Sequence, residues 1–333
     1  MLDVADFISI PYTPDLNQAG IRRACQRLVL EAQPADEDLI AGLIQNECQT
    51  ALELAFQRYL QENDVPFERQ EAAPLTAPGD KDLMLGGRRV VLRNHHFAGK
   101  NQIRRLQRDP GFLLNAWARL PQAHGQVDPR RADDMYVFAF IAGLTALQPR
   151  EFKRAMQAQQ PTYLLHLLPA AWARPPNDRP LGRPVFKADC DQEIRLELGG
   201  QDMQRQFYNE QISLPPRQRA SSGAEFFSLA YLHATQLPDR RIGVYSPALD
   251  QVHIAGPEGW QNLWVYGLRI ILTGFIPRHE FQRTAYLVTQ TEADAETGAA
   301  PYLKLPISHL YPLQALFEQA RQWKSPGGAA AQN

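Results

Sequence analysis

The residues best spaced for chemistry in this chain lie between Gly79 and Asn94. Asp82 opens a short apolar run, Gly86-Gly87 reverses the chain, and the return run carries Val91 and Arg93. Two short apolar runs parted by Gly-Gly read as a β-hairpin. An acid opening the first run and a cation ending the return run are placed to serve one site. A carboxylate is the usual ligand of a hard divalent cation. A guanidinium stays charged, so it clamps phosphate and exchanges no proton. The residue that falls across from Asp82 is Val91, which ligates nothing. A register slip of one residue offers only Val90 or Leu92 in its place.

The elements that must hold this hairpin are legible on either side of it. Asp15 or Asn17 caps an expected helix running to about Glu31, with Ala19, Ile21, Ala24, Leu28 and Val29 on its apolar face. Asp36 and Asp38 open a second helix to about Glu62, where Leu39, Leu43, Ile44, Leu52, Ala55, Phe56 and Tyr59 recur at helical spacing. Val65 to Arg69 reads as a short strand. Beyond the hairpin a helix is expected around Phe112–Leu120, and the apolar run Met135–Leu144 reads as a fully buried strand.

The long helix with Glu47 and Glu53, an extended segment, then the Asp82 strand and its hairpin return together resemble the PD-(D/E)XK nuclease superfamily. The resemblance covers roughly residues 40 to 110. In that superfamily two acids hold a divalent metal that activates water, and a lysine stabilises charge developing on the phosphate. Carried over by position, the resemblance implies Asp82 as the first acid and Arg93 in place of the lysine. Val91 stands where the second acid belongs, and Glu53 (or Glu47) is the helix glutamate that completes the site. The implied metal is Mg2+ or Mn2+, held by Asp82 and Glu53. The implied reaction is phosphodiester hydrolysis at a degenerate or relocated site, in a setting such as bacterial defence or mobile-element processing. A plain hairpin with a surface Asp and Arg is the alternative.

Arg88, Arg89, Arg93, Lys100, Arg104, Arg105 and Arg108 place seven cations in about twenty residues without an intervening acid. Such a run either neutralises phosphates, with strong salt dependence, or is a solvated face. Nucleic-acid contact is expected of it because it follows the Asp82 hairpin directly. His95 and His96 point to opposite faces of a strand, so at most one of them joins a metal site. Glu151-Phe152-Lys153 repeats the acid-x-lysine spelling, but at the start of an expected helix. Asp189, Asp191 and Glu193 read as strand-edge acids. The aromatic cluster Trp260–Tyr266 reads as core more readily than as a stacking or protein-docking platform.

From about Pro161 to Pro184 the chain is broken by prolines, which sets an expected domain boundary. Residues 1–175 form an α/β nuclease-like domain, 176–324 an α+β or β-rich accessory domain, and 325–333 a low-complexity, disordered tail. In the second part Glu193–Leu198 with Gly199-Gly200 reads as a hairpin, and Gly223–His233 and Leu313–Trp323 read as helices. Strands are expected at Arg241–Tyr245, Gly267–Leu272 and Thr284–Val288. The expected fold is thus a mixed sheet flanked by helices, with a second domain.

Composition narrows the partners. A net charge of -1 on 333 residues confines any nucleic-acid surface to a local patch. Three scattered cysteines exclude a disulfide framework and fit a reducing cytoplasm. No leader peptide or membrane-length apolar run is visible. There is no P-loop, dinucleotide fingerprint, H-E-x-x-H or G-x-S-x-G. Two functions remain: a nucleic-acid-binding protein of nuclease ancestry, or a catalytically silent scaffold that meets a protein partner through its C-terminal part.

Overall fold

The computed structural model describes residues 2–31, 39–71, 81–121, 133–288 and 301–323. The chain is α/β, with one mixed sheet flanked by helices and three further sheets among the described residues. Contacts divide it into two compact units that are not the halves expected on either side of Pro175. One unit comprises Met1–Leu16, Cys48–Leu144 and Gly267–Asn333; the other comprises Asn17–Glu47 and Thr145–Tyr266. The prolines from 161 to 184 punctuate loops inside the second unit and mark no boundary. Asp36, Asp38 and the tail 325–333 lie outside the described residues. No helix among the described residues is long and apolar enough to cross a membrane.

In chain order the strands are β1 (Ile8–Pro11), β2 (Glu68–Glu71), β3 (Lys81–Leu85), β4 (Arg88–Phe97), β5 (Trp117–Pro121), β6 (Met135–Thr145), β7 (Leu164–Leu167), β8 (Val185–Ala188) and β9 (Ile194–Gln201). They continue with β10 (Phe207–Leu214), β11 (Arg219–Ser221), β12 (Ser228–Ala234), β13 (Ile242–Tyr245), β14 (His253–Ala255), β15 (Gln261–Asn262), β16 (Val265–Pro277), β17 (Tyr286–Val288) and β18 (Tyr302–Pro306). The helices used below are α1 (Pro14–Leu30), α2 (Leu39–Glu62) and α3 (Lys100–Arg108).

The first unit is built on a six-stranded sheet of order β1-β16-β6-β4-β3-β2. β2, β3 and β4 run antiparallel in succession, and β6 lies parallel to β4. Gly86 and Gly87 turn the β3–β4 hairpin at φ +54° and +71°, the left-handed pair that a two-residue turn demands. A Cβ on Gly87 would also meet the Trp323 ring at 2.7 Å. Alternation along β4 sends Val90, Leu92 and Asn94 to one face and Arg89, Val91 and Arg93 to the other. On the first face α2 is docked by Gln49, which accepts from Asn94 Nδ2 at 2.8 Å and donates to the Leu92 carbonyl at 3.2 Å. Phe56 and Tyr59 of α2 meet Phe317 of the C-terminal helix Leu313–Gln322.

On the second face Phe97, Tyr136, Phe138 and Phe140 share a core with Ile103 and Leu106 of α3, and with Leu113, Ala118, Leu120, Phe281 and Leu305. A small sheet of order β17-β18-β5 supplies part of that layer. Helix was expected over Phe112–Leu120. Instead a 3-10 turn, Pro110–Asn115, leads into strand β5. Ala118 and Leu120 there are buried in alternation with exposed Arg119, a period of two that a short apolar window hid.

In the second unit a five-stranded sheet, β10-β9-β12-β7-β15, and a four-stranded sheet, β11-β8-β13-β14, enclose one apolar core. Trp260 is buried in that core and Trp264 is also buried, so this part of the aromatic cluster is structural. On the outer face of the larger sheet, Tyr163 and Tyr231 both donate to Glu197, and Cys25 of α1 approaches the Tyr163 hydroxyl. Two expectations fail here. Ser228–Ala234 is a strand where helix was expected, its apolar run being buried on both faces. Gly199 and Gly200 lie within β9, and the chain reverses later, around Asp202–Gln206. Glycine is required there because a Cβ on Gly199 would overlap the Tyr231 ring.

His166 is buried beside Trp260, with Nδ1 3.1 Å from the Gly259 carbonyl and Nε2 2.8 Å from Nε2 of His253. Burial, and secondarily His253, holds His166 down to about 4.

Two outcomes follow for stability. Gly199→Ala should cost about 2 kcal/mol or more in urea unfolding, because overpacking cannot relax between paired strands; an unchanged midpoint would contradict the close approach. The unfolded chain protonates histidine near 6.5, whereas folded His166 stays neutral to about 4. Unfolding free energy should therefore fall as pH drops through that window, by on the order of 3 kcal/mol for this group. His166→Gln should flatten the slope between pH 7 and pH 5; an equal slope in the two proteins would contradict it.

Candidate functional site

The second face of the β3–β4 hairpin carries the residues singled out for chemistry. Leu83 pairs with Val90, so the antiparallel register sets Asp82 across from Val91, on the face of Arg89 and Arg93. Asp82 does not stand open to a metal. Arg89 Nη1 lies 3.2 Å from one of its carboxylate oxygens and 3.3 Å from the other. The same guanidinium reaches Asp134, just before β6, with Nη2 at 2.9 Å and Nε at 3.1 Å. Arg278 approaches Asp134 from the far side at 3.7 Å. Arg89 is thus a structural tie between β3, β4 and β6, and the phosphate role expected of it is corrected. Pairing with Asp134 and Asp82 keeps its pKa raised against the cost of burial.

Glu53 sits on α2, the helix docked over the Asn94 face, and its carboxylate accepts from Gln49 Nε2 at 2.7 Å. It is close enough to favour the charge on Arg93. Among the described residues, no three His, Cys, Asp or Glu side chains converge on a point where a metal ion would sit. With Val91 apolar and Asp82 held by Arg89, the residues present do not fit a Mg2+ or Mn2+ centre. Sequence reasoning missed Asp134 and Arg278, which lie far along the chain. The signal was the acid pair Asp133-Asp134 placed directly before the most apolar strand.

Arg93 has the opposite fate to Arg89. It is half-buried, its Nε is enclosed without a hydrogen-bond partner, and no ion pair forms with it among the described residues. Burial lowers its pKa, and the neighbouring Arg89 and Arg278 lower it further, while Tyr136 and Glu53 oppose. A guanidinium nonetheless stays charged. The face therefore carries a cation in need of an anion, beside an acid that is already paired.

The remaining cations of the run fall on the surface. Arg88 is exposed at the hairpin. α3 is amphipathic, with Ile103 and Leu106 buried and Lys100, Arg104, Arg105 and Arg108 exposed, and it contains no acid. Lys100, Arg104 and Arg108 follow one another at i, i+4 along one stripe. None of these three makes an ion pair among the described residues, whereas Arg105 lies 4.9 Å over the Phe112 ring. His95 packs edge-on against Phe97 and Phe140, and His96 Nε2 meets the Gly143 carbonyl at 2.8 Å. Neither histidine meets Asp82.

The other candidates resolve as structure. Glu151 and Lys153 lie on a helix, Pro149–Gln157, away from any paired acid. Asp189 and Asp191 pair with Lys187 and Arg217 in a charged surface cleft of about 690 Å³. Cys25, Cys48 and Cys190 are buried free thiols. Burial pushes the Cys25 thiol up to about 12, which removes it as a nucleophile.

If Arg93 is a buried charge lacking an anion, Arg93→Met should leave the protein as stable or about 1 kcal/mol more stable. Inorganic phosphate should raise the melting temperature of the wild type above that in chloride of equal ionic strength, and the variant should lose this response. A loss of several kcal/mol in Arg93→Met, with the phosphate response intact, would contradict the assignment.

No family model, curated protein or solved structure matches the chain.

Proposed function

We propose that the first unit is a nucleic-acid-binding module of nuclease-like build in which an ion pair has replaced the metal centre. The observation that carries this reading is the α3 surface: four exposed cations, no acid, and a buried apolar stripe that fixes which way they face. Arg93 adds an enclosed guanidinium suited to a phosphate oxygen. The succession α2, β2, β3, β4, α3, β6, interrupted by β5 of the small sheet and with β3–β4 as the Asp82 hairpin, supports the resemblance to the PD-(D/E)XK superfamily. The fate of Asp82 argues against hydrolysis, since metal-assisted cleavage needs converging carboxylates free of cations. Binding is then sequence-tolerant and driven by phosphate neutralisation. Unpaired cysteines suit a reducing compartment such as the cytoplasm. A scaffold that docks a protein through Trp260 and Trp264 is disfavoured, because both side chains are buried.

Fluorescence anisotropy with short single-stranded and duplex oligonucleotides, over a range of salt, tests the reading. Replacing Lys100, Arg104 and Arg108 by Gln should weaken both interactions about tenfold or more and reduce the logarithmic salt slope by about 2–3. Unchanged slopes would contradict it. Incubation with Mg2+ or Mn2+ should give no cutting by the wild type or by Asp82→Ala. Metal-dependent cutting that disappears in Asp82→Ala would restore the hydrolytic reading.

A further inference from the structure

The outer side of the β17-β18-β5 sheet has a composition that its packing role does not require. β18 is the middle strand, with Lys304 paired to Tyr286 on one side and to Arg119 on the other. Ala118, Leu120 and Leu305 turn inward to the core shared with Phe97 and Phe140. The alternate positions, Trp117, Arg119, Tyr302, Lys304 and Tyr286, turn outward. Lys304 Nζ lies 4.5 Å from the Trp117 ring centre, and the Arg119 guanidinium lies 5.4 Å from that of Tyr302. Tyr286 is 58% exposed. No acid occupies an outward position of the three strands.

Three aromatic rings and two cations thus share one pleated surface, each cation held diagonally against a ring. Trp117, Tyr302 and Lys304 are half-buried and Tyr286 is exposed; a sheet that only caps a core gains nothing from an exposed ring, and polar outward residues are the ordinary outcome. The chemistry this surface fits is a chain of flat rings joined by anions. Base faces stack on aromatic side chains, and the phosphates between them meet Lys and Arg. In a duplex the base faces are already stacked on one another and only phosphate is offered, so this surface favours a single strand.

We propose that the outer face of β17-β18-β5 stacks the bases of a single-stranded nucleic acid, a step that rests on the nucleic-acid reading above and names its substrate class. Arg119 and Lys304 neutralise phosphates while Tyr286, Tyr302 and Trp117 hold bases. α3 supplies further, sequence-blind charge.

The test compares three proteins, the wild type, the Tyr286→Ala/Tyr302→Ala pair and the α3 Gln variant, each checked for wild-type folding by circular dichroism. The probes are a labelled single-stranded oligonucleotide, a duplex of the same sequence, and heparin, which has charge but no bases. The tyrosine pair should lose about tenfold or more in single-strand affinity at an unchanged salt slope, keep duplex and heparin binding, and recover with Phe at both positions. The α3 variant should weaken against all three probes. Unchanged single-strand affinity in the tyrosine pair, with the α3 variant weakened, would overturn this inference and leave the nucleic-acid reading standing. Equal loss of heparin and single-strand binding in the tyrosine pair would overturn it as well. A wild type that binds neither oligonucleotide would overturn both.

Discussion

The Arg89 guanidinium is the interaction on which the first unit turns. It binds Asp82 on β3 and Asp134 at the mouth of β6, and so ties the β3–β4 hairpin to a strand that pairs with β4 but comes 45 residues later in the chain. Taking buried Asp134, half-buried Asp82 and a half-buried cation out of water is costly unless every charge is matched. Here the geometry supplies the match, with Arg278 as a second partner for Asp134. The same arrangement decides the chemistry. A carboxylate neutralised by a guanidinium is a poor metal ligand, so the pairing that strengthens the sheet also disfavours a metal at Asp82.

Removing Asp82 from the pool of free acids changes what the face attracts. Arg93 keeps its charge and is half-buried, with burial, Arg89 and Arg278 opposing that charge and Glu53 favouring it. On the reading proposed above, an incoming phosphate would relieve that repulsion. The exposed cations of α3 extend the same preference over the surface, where salt screens them within about 10 Å. On the proposed reading the two sources of affinity would differ in kind: α3 would supply salt-sensitive attraction, and Arg93 a single enclosed contact.

Much of the first unit was legible in the sequence because its signals are local. Gly86-Gly87 admits one class of turn, α2 repeats its apolar residues at helical spacing, and Met135–Leu144 is too apolar to lie anywhere but the interior. The resemblance to the nuclease motif, not a local signal, singled out Asp82 and Arg93 together. Arg89, which claims Asp82, is only seven residues away; what the sequence could not show is Asp134, brought to the same guanidinium by the parallel pairing of β4 and β6, and Arg278 beside it. The failures elsewhere have the same origin. Ser228–Ala234 and Trp117–Pro121 are strands because of the sheets they join, and tertiary pairing overrides a short stretch of ambiguous pattern. Gly199-Gly200 looked like a turn and is a gap left for the Tyr231 ring. The two units interleave because the chain leaves the first after Leu16, returns at Cys48 and returns again at Gly267; proline frequency carries no information about such crossings.

The central claim is that this face recognises phosphate without a metal. Oligonucleotide affinity measured in EDTA and again in Mn2+, at one ionic strength, tests that claim most directly. The account predicts the same dissociation constant in both, since Arg89 already occupies Asp82. Binding that appears only with Mn2+ and vanishes in Asp82→Ala would contradict it, and would mean that the acid gives up its arginine for a metal.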